Sequence, residues 1–235
     1  MKTDVNGVLR ALRAKANRRN VEGMARYGIT SAKALGVSAP FIHEIAKRIG
    51  RDHALALRLW STGFLEARAI AGLIGDPARV TKQLMNTWVR DFDNWAVCDG
   101  TCGNLFDKTP FAHEMALKWS RREEEFVKRA GFVLMASLAV HDKEAPDRSF
   151  LRFLPAIARE SDDPRNFVKK AVNWALRQIG KRNMNLNTAA IMVARKIRRS
   201  DSAAARWIAA DALRELESTA VRKRLLNKKQ SSRRR

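Results

Sequence analysis

The chain has 235 residues, 46% of them hydrophobic, enough for one elongated domain or two small ones. Its 46 Lys and Arg against 24 Asp and Glu leave a formal charge of +22, which points to a polyanionic partner and argues against an acidic scaffold or a charge-neutral metabolic enzyme. The two cysteines, Cys98 and Cys102, exclude a disulfide framework and fit a reducing interior, and the longest largely apolar run, Ala130 to Val140, is far short of a bilayer span.

Apolar spacing predicts helices near 3–18, 20–27, 39–49, 52–62, 64–75, 77–91, 93–106, 110–120, 123–140, 146–160, 164–181, 184–199 and 202–218. Val5, Val8, Leu9 and Leu12 make the Arg-rich start a first helix rather than a transit peptide. Alternating β-branched runs are scarce, and the one Asn-Gly pair, Asn6-Gly7, falls inside that first helical pattern. Pro40, Pro77, Pro110, Pro146 and Pro164 stand where helices begin, several behind an Asp or Thr suited to capping, whereas Pro155 is expected to kink its helix.

Phe126-Val127-Lys128-Arg129-Ala130 recurs 41 residues later as Phe167-Val168-Lys169-Lys170-Ala171, and Trp207-Ile208-Ala209-Ala210-Asp211 follows at an offset of 40. That period, with two helices per unit, is the mark of HEAT-type repeats, so the expected fold is all-α: HEAT-like repeats stacked into a curved solenoid with a basic concave surface. Stacking places Lys128, Arg129, Lys169 and Lys170 in a row, either facing a ligand or occupying ordinary solvated positions. The domain is expected to span 1–220. Residues 221–235 hold Arg222, Lys223, Arg224, Lys228, Lys229, Arg233, Arg234 and Arg235 without an acid, and read as a disordered tail adding phosphate affinity or solubility.

No phosphate-cradling Gly loop, nucleophile elbow or kinase signature is present. Cys98 and Cys102 sit four apart with no His nearby and read as packing residues; His43, His53, His113 and His141 are scattered, so no metal site is expected. Trp95 and Asp99 share a helix face, and Asp is a poor mid-helix residue. Spacing alone favours a solvated Asp99 and a core Trp95. Trp174 has Lys170 and Arg177 at helical neighbour positions, which suits a half-exposed aromatic lined with cations. The single tyrosine is Tyr27.

Taken together, Met24-Ala25-Arg26-Tyr27, Trp95-x-x-x-Asp99, Lys128-Arg129-Ala130 and Lys169-Lys170-Ala171-Val172-Asn173-Trp174-Ala175-Leu176-Arg177 resemble the DNA alkylation repair proteins of the AlkD-like type, which are HEAT-like repeat DNA glycosylases. The likeness runs in order over most of 1–218. It implies hydrolysis of the N-glycosidic bond of N3- or N7-alkylated purines in duplex DNA. By that resemblance Asp99 stabilises the sugar cation and orients water, Trp95 and Trp174 supply aromatic faces, Arg129 contacts phosphate and Tyr27 contacts DNA. Lys128, Lys169 and Lys170 would add phosphate contacts. Asn94, before Trp95, replaces an aromatic expected in the best-studied type. No cofactor or metal is implied, and the expected partner is alkylated duplex DNA, bound by a monomer in the cytoplasm or at a nucleoid and away from membranes.

Two other functions compete with this one. A non-catalytic repeat protein would bind nucleic acid by charge alone. A protein–protein adaptor is the commoner use of HEAT repeats, and the charge of +22 counts against it. Ala34-Leu35-Gly36-Val37 superficially suggests a helix-hairpin-helix glycosylase, but Ser38 stands where the second hairpin glycine belongs.

Overall fold

The computed structural model describes residues 4–233, with side chains up to 227, and contains no strand among them. The chain divides into two compact units, Met1–Pro110 and Phe111–Arg235. The division falls inside the span read from the sequence as one domain.

In the first unit, α1 (Val5–Ala14) starts at Asp4, whose carboxylate accepts from the Gly7 N–H at 2.7 Å, and it buries Val8 and Leu12. Asn17 caps α2 (Arg18–Ala25), which buries no residue. Next come α3 (Ala39–Ile49), with Pro40 in its first turn, and α4 (His53–Ser61), capped by Asp52. The following helix, α5 (Leu65–Ile74), is the hub and packs on α1, α3, α4 and also on α7 (Trp95–Asn104). The helix predicted over 77–91 is instead a 3-10 turn, Pro77–Arg79, then α6 (Lys82–Trp88) and a second 3-10 turn, Val89–Asp91. Asp76 and Thr81 each cap a start, and two caps five residues apart interrupt one helix.

One carboxylate ties this unit together. Glu66, in the first turn of α5, is fully buried. It accepts the N–H groups of Leu35 at 2.9 Å, Gly36 at 2.7 Å and Val37 at 3.3 Å, so the loop before α3 is pinned to the hub. Gly36 has φ +73°, and a Cβ there would stand 2.2 Å from the Asn17 carbonyl, so glycine is required.

The second unit contains α8 (Ala112–Trp119), α9 (Glu125–His141), α10 (Asp147–Leu151), α11 (Leu154–Arg159), α12 (Asn166–Gly180), α13 (Met184–Ile197), α14 (Ala203–Leu216) and α15 (Thr219–Arg233). α9, α12 and α14 form one layer; α8, α11 and α13 pack against it. α9 is apolar on nearly every face because it is buried on nearly every face, each large side chain such as Phe132 or Leu134 contributing about 1.5–3 kcal/mol. Gly131 permits its close crossing with α8, since a Cβ there would lie 2.5 Å from the Ser120 nitrogen.

The 41-residue period appears directly as stacking. The rings of Phe126 and Phe167 lie 5.4 Å apart, and the Lys169 ammonium sits 4.9 Å from the Trp207 ring centre. Between α12 and α14 runs a polar seam. Asn173 donates to Asp211 at 2.7 Å, Arg177 lies 3.2 Å from Asp211 and 3.0 Å from Glu215, and Lys181 donates to Glu215 at 2.7 Å.

Two expectations need correction. Pro155 does not kink a helix over 146–160. It occupies the first turn of α11, where its missing N–H costs nothing, and the chain breaks before it after α10. Nor does the chain fray at 221: α15 is helical to Arg233, held by Val221 and Leu225, which are one turn apart and buried. Arg234 and Arg235 lie outside the described residues, as do the side chains of Lys228, Lys229 and Arg233.

Candidate nucleic-acid interface

The start of α7 is held from three sides. Asn94, fully buried, is its N-cap and accepts from the Val97 N–H at 3.1 Å, which explains an amide where the resemblance led one to expect an aromatic. Asp91, just upstream, accepts from the Trp60 indole at 2.7 Å, and its carbonyl accepts from Arg68 at 2.9 Å. Trp60 in turn stacks on Trp88 with ring centres 3.9 Å apart. On the third side, the Trp95 indole N–H donates to the Tyr27 carbonyl at 2.9 Å, tying α7 to the end of α2.

α7 buries Val97, Cys98, Thr101 and Cys102. Its other face, at Trp95, Ala96, Asp99, Gly100, Gly103 and Asn104, is half-buried. The Trp95–Asp99 face read from spacing therefore exists, with a carboxylate one turn beyond the indole. A Cβ added at Gly100 would meet nothing within 4 Å, so the helix surface is open at Gly100. Burial pushes the Cys102 thiol well up, and the hydrogen bond with Cys98 and the charges of Asp99 and Asp107 push the same way. A thiol so held is inert, as expected of a packing residue.

Tyr27 is 73% exposed. It borders a cavity of about 810 Å³ whose wall includes Arg19, Asn20, Arg26, Gly36 and Trp95. Tyr27, Trp95 and Asp99 thus belong to the first unit. Glu66 and Asp91 position this region and were missed in the sequence, because each acts on partners about thirty residues away.

The second unit carries the other predicted residues. Trp174 on α12 is half-buried, Lys169 is half-buried over Trp207, and Lys170 is exposed. Lys128 is not part of an exposed basic row. It is 6% exposed and lies 2.7 Å from Glu160 and 3.3 Å from Asp163. Burial opposes its charge, yet the hydrogen bonds and charges of those two carboxylates raise its pKa above the usual lysine value. Burial likewise opposes ionisation of Glu160 and Asp163, and their cationic partners outweigh it and lower both pKa values. Arg129 is also 6% exposed, and its Nη1 donates to the Phe167 carbonyl at 2.6 Å, bracing α9 against α12. No cluster of three or more His, Cys, Asp or Glu among the described residues is arranged to hold a metal ion, and none of their helices is long and apolar enough to cross a membrane.

The sequence model of the DNA alkylation repair enzyme family matches residues 8–216. The chain belongs to that family. A comparison with curated proteins gives no match. Among solved structures, this DNA alkylation repair family member is similar to one described as belonging to a new family of proteins related to the HEAT-like repeat DNA glycosylases with affinity for branched DNA structures. The two are 20% identical, with a TM-score of 0.72 over 91% of this chain and 96% of the other. At that identity the likeness establishes the fold, which is the HEAT-like helical-repeat fold expected from the 41-residue period.

Proposed function

We propose that this family member is a monomeric glycosylase that removes N3- and N7-alkylated purines from duplex DNA. The observation that carries the reading is the α7 face, which presents Asp99 one turn from Trp95 with open space at Gly100 beside it. Alkylation leaves the purine cationic and a good leaving group. The bond from C1′ to the base nitrogen breaks, its electron pair leaves with the base, and positive charge builds on the deoxyribose. A fixed carboxylate stabilises that charge and orients water, whose oxygen bonds to C1′ while its proton is released, leaving an abasic site. The indole faces of Trp95 and Trp174 favour cationic groups. Tyr27, Lys169 and Lys170 supply DNA contacts, and Arg129 contacts a phosphate. Lys128, committed to Glu160 and Asp163, is left out of the binding set.

A second reading is supported by the relative described as having affinity for branched DNA. In it the same surface binds DNA without cleaving any bond. Incubating the protein with methylated duplex and measuring free 7-methylguanine separates the two. Release that disappears in Asp99→Asn, with duplex affinity retained, supports the glycosylase. No release from the wild type, together with preference for a four-way junction over linear duplex, supports the binder.

A further inference from the structure

We propose that the second unit holds a separate DNA-phosphate site, at the C-terminal ends of α9 and α12 and closed on one side by α15. A cavity of about 330 Å³ lies there, lined by Lys143, Gln178, Lys181, Arg182, Asn183 and Arg224 together with two apolar residues of α9. Among the described residues, four cations and no carboxylate line it.

The surrounding contacts show which charges are already used. Lys181 is spent on Glu215 at 2.7 Å. Arg182 lies on the Phe150 ring at 4.0 Å and donates to the carbonyls of Ala139, Lys143 and Ala145, so it caps α9 and frames the cavity. Burial lowers its pKa, while Asp142 and Asp147 nearby favour its charge. Those two acids are themselves occupied, Asp142 by His113 and the Ala145 N–H, and Asp147 by Asn183 and Asn185.

Lys143 and Arg224 differ from these. Both are exposed, neither lies within ion-pair distance of a carboxylate among the described residues, and each touches only a helix-end carbonyl, that of Val140 and of Lys181 respectively. A helix C-terminus carries about half a negative charge, so two ends are more than balanced by the cations gathered there. The surplus faces the cavity and matches a tetrahedral oxyanion.

α15 closes the cavity from the C-terminal side. It starts at Thr219, after the family match ends at 216. Val221 and Leu225 seat it on α13 and α14 and leave Arg222, Lys223 and Arg224 outward. A docked helix adds its charges at fixed positions, which a loose tail does not. The partner this surface fits is the phosphate backbone of duplex DNA, and the choice of DNA rests on the function proposed above.

The test is the salt dependence of binding to a short fluorescent, undamaged duplex by the Lys143→Gln/Arg224→Gln variant of the full chain. Both side chains are exposed, and an unchanged thermal melt verifies folding. Losing two phosphate contacts should flatten the slope of log K against log salt by about 1.8. The control is Lys118→Gln/Arg121→Gln, which removes the same charge from exposed positions of the same unit and should leave the slope within about 0.5 of the wild type. An unchanged slope in the first variant, or an equal loss in the control, overturns the site. So does a loss confined to vesicles containing phosphatidylserine, which would make the surface a membrane contact. Base release at excess protein should keep its wild-type rate in the control variant. A wild type that releases no base while the slope still changes removes the glycosylase and leaves the phosphate site standing.

Discussion

Replacing Glu66 with Gln tests how the wall of the cavity bordered by Tyr27 is held. The carboxylate accepts three backbone N–H groups, with Leu35 also 3.0 Å from its second oxygen. Glutamine keeps one acceptor oxygen, loses the charge and points an NH₂ at the Leu35 amide. Hydrogen bonds to a charged group are worth about 1.5–3 kcal/mol against about 0.5–1.5 for neutral ones. All three amides keep the first oxygen as acceptor, so weakening three charge-assisted bonds by about 1 kcal/mol each sums to a loss of about 3 kcal/mol. For a chain of this length that lowers the melting temperature by about 6–12 °C. Hydrogen exchange resolves the effect locally: protection of the Leu35, Gly36 and Val37 amides should fall about 100-fold while that of α9 is unchanged. A melting shift under about 2 °C with protection intact would refute the reasoning.

Asp99→Asn should reduce base release from methylated duplex by about 100-fold or more while duplex affinity changes by less than about threefold, read by chromatography of freed base and by anisotropy. Lys128→Met should cost about 1.5–3 kcal/mol in urea unfolding, since Glu160 and Asp163 lose its ammonium but keep Arg159 and Arg165, and should leave the salt slope of DNA binding untouched. The lowered carboxylate values contribute stability that is complete above ordinary carboxylate pKa values and is lost as pH falls through the native ones; the raised Lys128 value contributes stability that is complete below the ordinary lysine pKa and is lost as pH rises through the native one. The difference between wild type and Lys128→Met should therefore be flat from about pH 5 to about pH 10 and shrink on both sides. Gly100→Ala should raise the melting temperature by about 2–4 °C, since nothing opposes the added methyl, and slow base release by filling the open surface at Gly100 on the face that bears Trp95 and Asp99; a lower melting temperature with no effect on release would show that this space is packed and unused.

Much of the architecture was legible because helices and repeats write themselves in local spacing. Phe126 and Phe167 repeat at 41 residues and their rings lie 5.4 Å apart, and Asp76, read as a cap ahead of Pro77, caps the turn that follows it. The Trp95–Asp99 face was legible for the same reason. The burial of Lys128 was not, because the residues that neutralise it, Glu160 and Asp163, come more than thirty positions later, beyond the reach of periodicity. On α9 the pattern is also blurred by burial on almost every side, so a Lys-Arg pair reads as solvated when it is enclosed. α15 did leave a trace in Val221 and Leu225, one turn apart, which the density of surrounding charge masked. Glu66 had a similar trace, a lone acid in the apolar sequence Leu65–Ile74, with nothing local to indicate the amides it binds.

The seam between α12 and α14 does more than fill polar valences. Apolar side chains tolerate sliding, because one hydrocarbon contact substitutes for another. Asn173, Arg177 and Lys181 meet Asp211 and Glu215 as an ordered alternation of complementary groups, and a one-turn offset between these helices would break it. The repeat thus carries its own vernier, which fixes where along α12 its neighbour comes to rest and so holds Trp174 at a constant height relative to α14.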